Sequence, residues 1–97
     1  MKRNDVIRIL QKERQELVDQ YYISALSVFG SVARDDARDD SDVDILVEFS
    51  RPVGLFQFIE LKQRLEALLG SEVDLGTPRS LKSRIKDQVL QEAIRVT

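Results

Sequence analysis

The chain contains no cysteine and no histidine. Without cysteine there is no disulfide framework, no thiolate nucleophile and no cysteine zinc site. Without histidine the commonest general base and metal ligand is gone. Chemistry therefore falls to carboxylates, hydroxyls, Lys and Arg. An excess of positive charge is missing too, since 15 Lys and Arg stand against 17 Asp and Glu. No overall basic field gathers nucleic acid, and long nucleic acid is not an expected partner. No apolar run is long enough to span a bilayer, so no membrane association is expected. The amino-terminal "MKRNDVIRIL" is positively charged but lacks the apolar stretch and small-residue cleavage site of an export signal, which makes the cytoplasm the expected location. At 97 residues the chain is expected to form one domain over 1–97, too small for a catalytic unit plus a separate substrate domain.

What is present is a clear alternation of elements. Val6, Ile9, Leu10, Leu17, Val18 and Tyr21 recur at helical spacing and predict a helix from Asn4 to about Tyr22. "ISALSVF", residues 23–29, is a short run of β-formers stopped by Gly30 and Ser31, and reads as a buried strand. "SVARDDA" reads as a short helix and "DVDILVEF" as the second strand. A helix from about Leu55 to Leu69 is expected to bury Leu55, Ile59, Leu65 and Leu68, with Gly70 as its carboxyl cap. "SEVDLG" reads as a third strand. Ser80 is placed to cap a last helix from Leu81 to about Arg95, with Leu81, Ile85, Val89 and Ile94 as its buried stripe. The predicted fold class is α/β (α+β), with a small mixed sheet, helices packed on one face and the order α-β-α-β-α-β-α.

The acids are concentrated in "FGSVARDDARDDSDVDILVEF", residues 29–49, where six aspartates fall within ten positions. Side chains alternate along a strand, so Val43, Ile45, Val47 and Phe49 share one face while Asp42, Asp44, Leu46 and Glu48 share the other. In the third strand Val73 and Leu75 are apolar and Glu72 and Asp74 stand opposite. If the two strands are neighbours, Asp42, Asp44 and Asp74 can converge, the first two roughly 6 to 7 Å apart along their strand. Such a group repels itself in a partly desolvated cleft, so its pKa values rise or a cation compensates it. All-oxygen ligation favours Mg²⁺ or Mn²⁺. By periodicity alone, the frayed start of a strand accounts for Asp42 and Asp44 equally well. Asp35, Asp36, Asp39 and Asp40 are expected to be solvated loop, and Glu48 surface. A calcium loop starting at Asp40 fails, because Ile45 replaces the required glycine and Arg51 the bidentate glutamate.

Gly30 and Ser31 open a short helix after a strand, where backbone N–H groups and a hydroxyl can face an anion, although such a pair is often only a turn. "GSVARDDA" lacks the second glycine and the lysine of a P-loop. Arg34 finds no acid three or four residues onward, where Ala37 and Arg38 stand, which leaves an anion or a carboxylate elsewhere in the fold as its partner. Phe56 and Phe58 are not expected to share one buried stripe, which points to an apolar surface for a partner.

Taken together, Gly30-Ser31, the Asp42-Val43-Asp44 pair and the later Asp74 resemble the signature of the nucleotidyltransferase superfamily that includes DNA polymerase β. The runs "GSVAR", "SDVDILVEF" and "VDLGTPRSLK" are similar to the minimal nucleotidyltransferases, often encoded beside a HEPN-domain toxin, and the resemblance covers nearly the full length. It implies an enzyme that moves AMP from ATP to a tyrosine of the partner toxin and releases pyrophosphate, in a possible hetero-oligomer with it. It also implies two Mg²⁺ ions, with Mn²⁺ as a substitute, held by Asp42, Asp44 and Asp74. Gly30, Ser31 and Arg34 then bind nucleotide, and Asp74 draws off the acceptor proton. Two other readings stay open, an antitoxin that acts by contact alone and a small-molecule nucleotidyltransferase acting on antibiotics. One departure stands out, because many relatives carry glycine after the "AR" where this chain has Asp35.

Overall fold

The computed structural model describes all 97 residues. Helices α1 (Arg3–Lys12) and α2 (Arg14–Tyr21) lead into β1 (Ile23–Phe29), α3 (Gly30–Ala33) and β2 (Val43–Phe49). Then follow α4 (Leu55–Leu69), β3 (Val73–Gly76), a 3-10 turn (Pro78–Ser80), α5 (Ser83–Glu92) and β4 (Ile94–Arg95). The sheet order is β3-β2-β1-β4. β1 runs antiparallel to β2 and β4, and β2 runs parallel to β3 through the α4 crossover. The sheet is thus mixed, as expected, with one strand more than the sequence suggested.

The core follows the strand alternation. Val43, Ile45 and Val47 of β2 join Ile23, Leu26 and Val28 of β1 and Val73 and Leu75 of β3 in one buried cluster. Val6, Leu10 and Leu17 from α1 and α2 and Leu61, Leu65 and Leu69 from α4 cover that face of the sheet. α5 contributes nothing to this cluster; it reaches β1 and α3, and its buried Val89 stands outside, as do Ala25 and Leu46.

Four expectations are corrected. The helix predicted over Asn4–Tyr22 is two helices, because Glu13 at φ −98° and ψ 6° leaves the helical region. α4 buries Leu61, Leu65 and Leu69 with Phe58 and Leu68 packed alongside, while Leu55 is 70% and Ile59 39% exposed. The apolar residues of α4 offer two overlapping stripes, and the edge-to-face contact of Phe58 with Phe49, 6.4 Å between ring centres, goes with the second. Phe56 consequently faces outward, 81% exposed. Ser80 caps the 3-10 turn rather than α5, since its hydroxyl donates to the Thr77 carbonyl (2.8 Å) and accepts from the Thr77 N–H (3.0 Å). Finally α5 stops at Glu92, because Ala93 turns extended and the chain pairs with β1, Val96 N–H donating to the Leu26 carbonyl. Ile94 therefore lies in a strand, and Ile85 is 41% exposed instead of forming a stripe.

The Asp35 departure has a conformational meaning. Asp35 sits at φ +61°, the left-handed region in which glycine is free of strain and aspartate is tolerated. Its carboxylate also accepts the Arg3 backbone N–H, at 3.3 Å. Asp35→Ala has neither glycine's freedom nor the carboxylate and is expected to lose about 1 kcal/mol of stability, whereas Asp35→Gly stays at or above the parent. Urea melts of the three proteins decide, and an alanine variant as stable as the parent contradicts the assignment.

Candidate active site

The carboxylate face of the sheet is built by register. Asp44 of β2 pairs with Asp74 of β3 in the parallel ladder and with Phe29 of β1 in the antiparallel one. Neighbouring strands lie about 4.8 Å apart, so two acids in register on one face stand side by side. Burial is the main force that pushes the Asp44 carboxyl up, to about 6, and the charge of Asp74, a hydrogen bond with it and the charge of Asp42 add to the shift. The charge of Arg34 opposes it.

Gly30 explains how the strand end closes over this pair. It lies at φ +71°, directly after β1, and a Cβ built on it overlaps Asp44 Oδ2 and comes within 3.0 Å of the Asp44 carboxyl carbon. The glycine thus allows the turn and lets backbone lie against the carboxylate. Ser31 is half-buried in the four-residue α3, next to Gly30. Arg34, at the end of α3, answers the question of its partner with two acids. Its Nε donates to Asp36 Oδ2 at 3.4 Å and its Nη1 to Glu92 Oε2 at 3.1 Å. These bonds raise its pKa, the one with Asp36 most.

The six predicted positions are therefore not equally close. Asp44, Asp74 and Gly30 form the tight group, and Arg34 and Asp42 act on Asp44 through their charge. Asp42 sits one residue ahead of β2, exposed, not inside the strand as expected. As the side chains stand, no three acids converge closely enough to grip an ion together. The donor set itself suits a hard divalent cation, because it is all oxygen and holds one partly buried carboxyl whose ionisation is opposed by burial and by like charge. Asp35, Asp36, Asp39, Asp40 and Glu48 are exposed, as the sequence suggests. The largest groove, about 780 Å³, is elsewhere, at the carboxyl end of β2 between Phe49, Arg51, Leu55, Phe58 and Arg79, and includes none of Asp42, Asp44 and Asp74. Sequence reasoning missed Glu92, for which a separation of 58 residues from Arg34 leaves no spacing signal.

Two consequences are measurable. Gly30→Ala combines left-handed strain with a collision and is expected to cost about 1–3 kcal/mol in urea melts. Asp44→Ala removes the colliding oxygen, so the double variant should be more stable than the sum of the two single effects predicts; strict additivity speaks against the contact. The raised Asp44 pKa stabilises the fold fully below its unfolded value of 3.8, and that contribution is lost as pH rises through about 6. In EDTA, Asp44→Asn is thus expected to gain stability over the parent from pH 4 to pH 7 and to level off above. A gain independent of pH in thermal melts contradicts the raised value.

The family model for the nucleotidyltransferase domain matches residues 7–96. The chain is 46% identical over 92 residues to the protein adenylyltransferase MntA of Thermococcus cleftensis, covering 95% of this chain and 93% of that protein. Its fold is similar, with a TM-score of 0.81 and 40% identity, to a solved structure assigned as a minimal nucleotidyltransferase, over 97% of this chain and 95% of that one. A crystal structure of a toxin–antitoxin with AMP-PNP matches with a TM-score of 0.72 and 25% identity, over 90% of this chain and 72% of that one. With a glycine turn against one of two paired acids on a mixed sheet, and a domain match from residue 7 to residue 96, this chain belongs to the nucleotidyltransferase family.

Proposed function

We propose that the chain is a protein adenylyltransferase antitoxin, which moves AMP from ATP to a tyrosine hydroxyl of a HEPN-domain toxin in the cytoplasm. The observation that carries this reading is the in-register Asp44–Asp74 pair with Gly30 against it. The identity to an adenylyltransferase and the likeness to a toxin–antitoxin solved with a nucleotide analogue support the substrate and the partner class. Exposed Leu55, Phe56 and Ile59 supply apolar surface for a protein partner.

Asp42, Asp44 and Asp74 are the groups that would hold two Mg²⁺ ions, or Mn²⁺ in their place, which when bound supply charge compensation for the triphosphate. The protein's own groups do the rest. The Gly30 turn and the Ser31 hydroxyl seat the triphosphate, and Arg34 meets its tail. The acceptor oxygen forms a bond to the α-phosphorus, the bond from that phosphorus to the bridging oxygen breaks, and pyrophosphate leaves with the electron pair. Asp74, exposed beside Asp44, takes the proton of the acceptor hydroxyl.

Incubation with ATP labelled at the α-phosphate, Mg²⁺ and the product of the adjacent gene is expected to label that protein. Asp74→Asn should slow the transfer by at least about 100-fold while keeping the fold. Absence of label with Mg²⁺ and with Mn²⁺ overturns the reading. A folded Asp42→Ala, Asp44→Ala double variant that still protects cells reassigns the chain as an antitoxin that works by contact.

A further inference from the structure

We propose that Glu92 is a positioning residue for nucleotide, which holds the Arg34 guanidinium with one corner of its fork left for the triphosphate. The inference rests on the reading of Arg34 as a group that meets the tail of ATP. Three observations carry it. The Arg34 fork is used on two sides only, Nε by Asp36 and Nη1 by Glu92, so Nη2 donates to no protein group. The Glu92 contact is the shorter, 3.1 Å against 3.4 Å, and Glu92 is the more enclosed acid, its side chain 24% exposed against 60% for Asp36. Glu92 is itself steadied, because Gln88 Nε2 donates to Oε1 at 3.3 Å and leaves Oε2 for Arg34.

The backbone fixes where this carboxylate stands. Glu92 is the last residue of α5, and the chain passes at once into β4, where Ile94 and Arg95 pair with Val28 and Ser27 of β1. β1 continues into the Gly30 turn. The end of α5 is therefore indexed to the same strand that presents Gly30 to Asp44. An acid at the carboxyl end of a helix opposes the helix dipole, and a cation beside it relieves this cost. As a plain tether the pair would matter little, since exposed ion pairs contribute little to stability. As a brace it matters more, because an arginine set in place before binding loses less side-chain freedom when it meets phosphate.

The test compares Mg·ATP with AMP, which lacks the tail, in calorimetric titrations of the full chain. Glu92→Gln keeps size and shape and removes the charge. It is expected to weaken ATP binding about tenfold and to leave AMP binding within twofold, with a melting temperature within a few degrees of the parent. Arg34→Gln is expected to show the same selective loss, and the double variant no more than Arg34→Gln alone. If Glu92→Gln binds ATP as the parent does while Arg34→Gln is impaired, this proposal falls and the proposed function stands. Equal losses for ATP and AMP with a lower melting temperature reduce Glu92 to a tether and also overturn it. An unimpaired Arg34→Gln removes its basis, and a parent that binds no ATP overturns the proposed function together with it.

Discussion

Two carboxyl groups in register on adjacent parallel strands carry a standing electrostatic conflict, and the surroundings of Asp44 and Asp74 are arranged around it. Burial raises the cost of ionising Asp44, the neighbour raises it further, and a single cationic side chain, Arg34, works in the opposite direction. A protein selected for stability alone would place an apolar or hydrogen-bonded residue there. Retaining an acid at a position where its charge is disfavoured, in contact with a glycine that has no room for a side chain, is the pattern of a site kept for chemistry.

The fold meets this requirement by separating two tasks. One face of the sheet is committed to the core with α1, α2 and α4, so strand order and register are fixed by apolar contacts that have no part in catalysis. Because side chains alternate along a strand, the same register that seats Val43 beside Val73 and Ile45 beside Leu75 sets Asp44 beside Asp74. The acids inherit their placement from the core. A slip of one residue between β2 and β3 would break the pair and misalign the apolar set at the same time, so the stability of the fold guards the geometry of the site.

Much of this was legible in the sequence, for reasons that particular residues make plain. "DVDILVEF" and "EVDL" combine strand-forming residues with strict alternation, so the faces of β2 and β3, and hence Asp44 and Asp74, could be assigned from local pattern. Gly30 was legible as a stop, but its approach to Asp44 is a tertiary fact. What escaped was set over long separations or by competition between local options. Nothing in "QEAIRVT" announces that Ile94 and Arg95 leave a helix to pair with β1 at Val28 and Ser27, and the partnership of Glu92 with Arg34 depends on that pairing. The apolar residues of α4 permit two stripes, and the contact of Phe58 with Phe49, whose position the helix pattern does not contain, goes with the one that is buried. Ser80 was recognised as a cap, yet its hydroxyl is taken up by Thr77 in the turn before α5.

The order of these parts along the chain bears on how the molecule comes into being. A ribosome delivers the Gly30 turn first, then Asp44, then the α4 crossover, and only afterwards Asp74 and the segment that bears Glu92. The parallel ladder between β2 and β3 cannot close until that crossover has been made, so an incomplete nascent chain holds Asp44 without its neighbour. Competence thus waits for the segment from Asp74 to Glu92, which follows the segment carrying nearly all of the core.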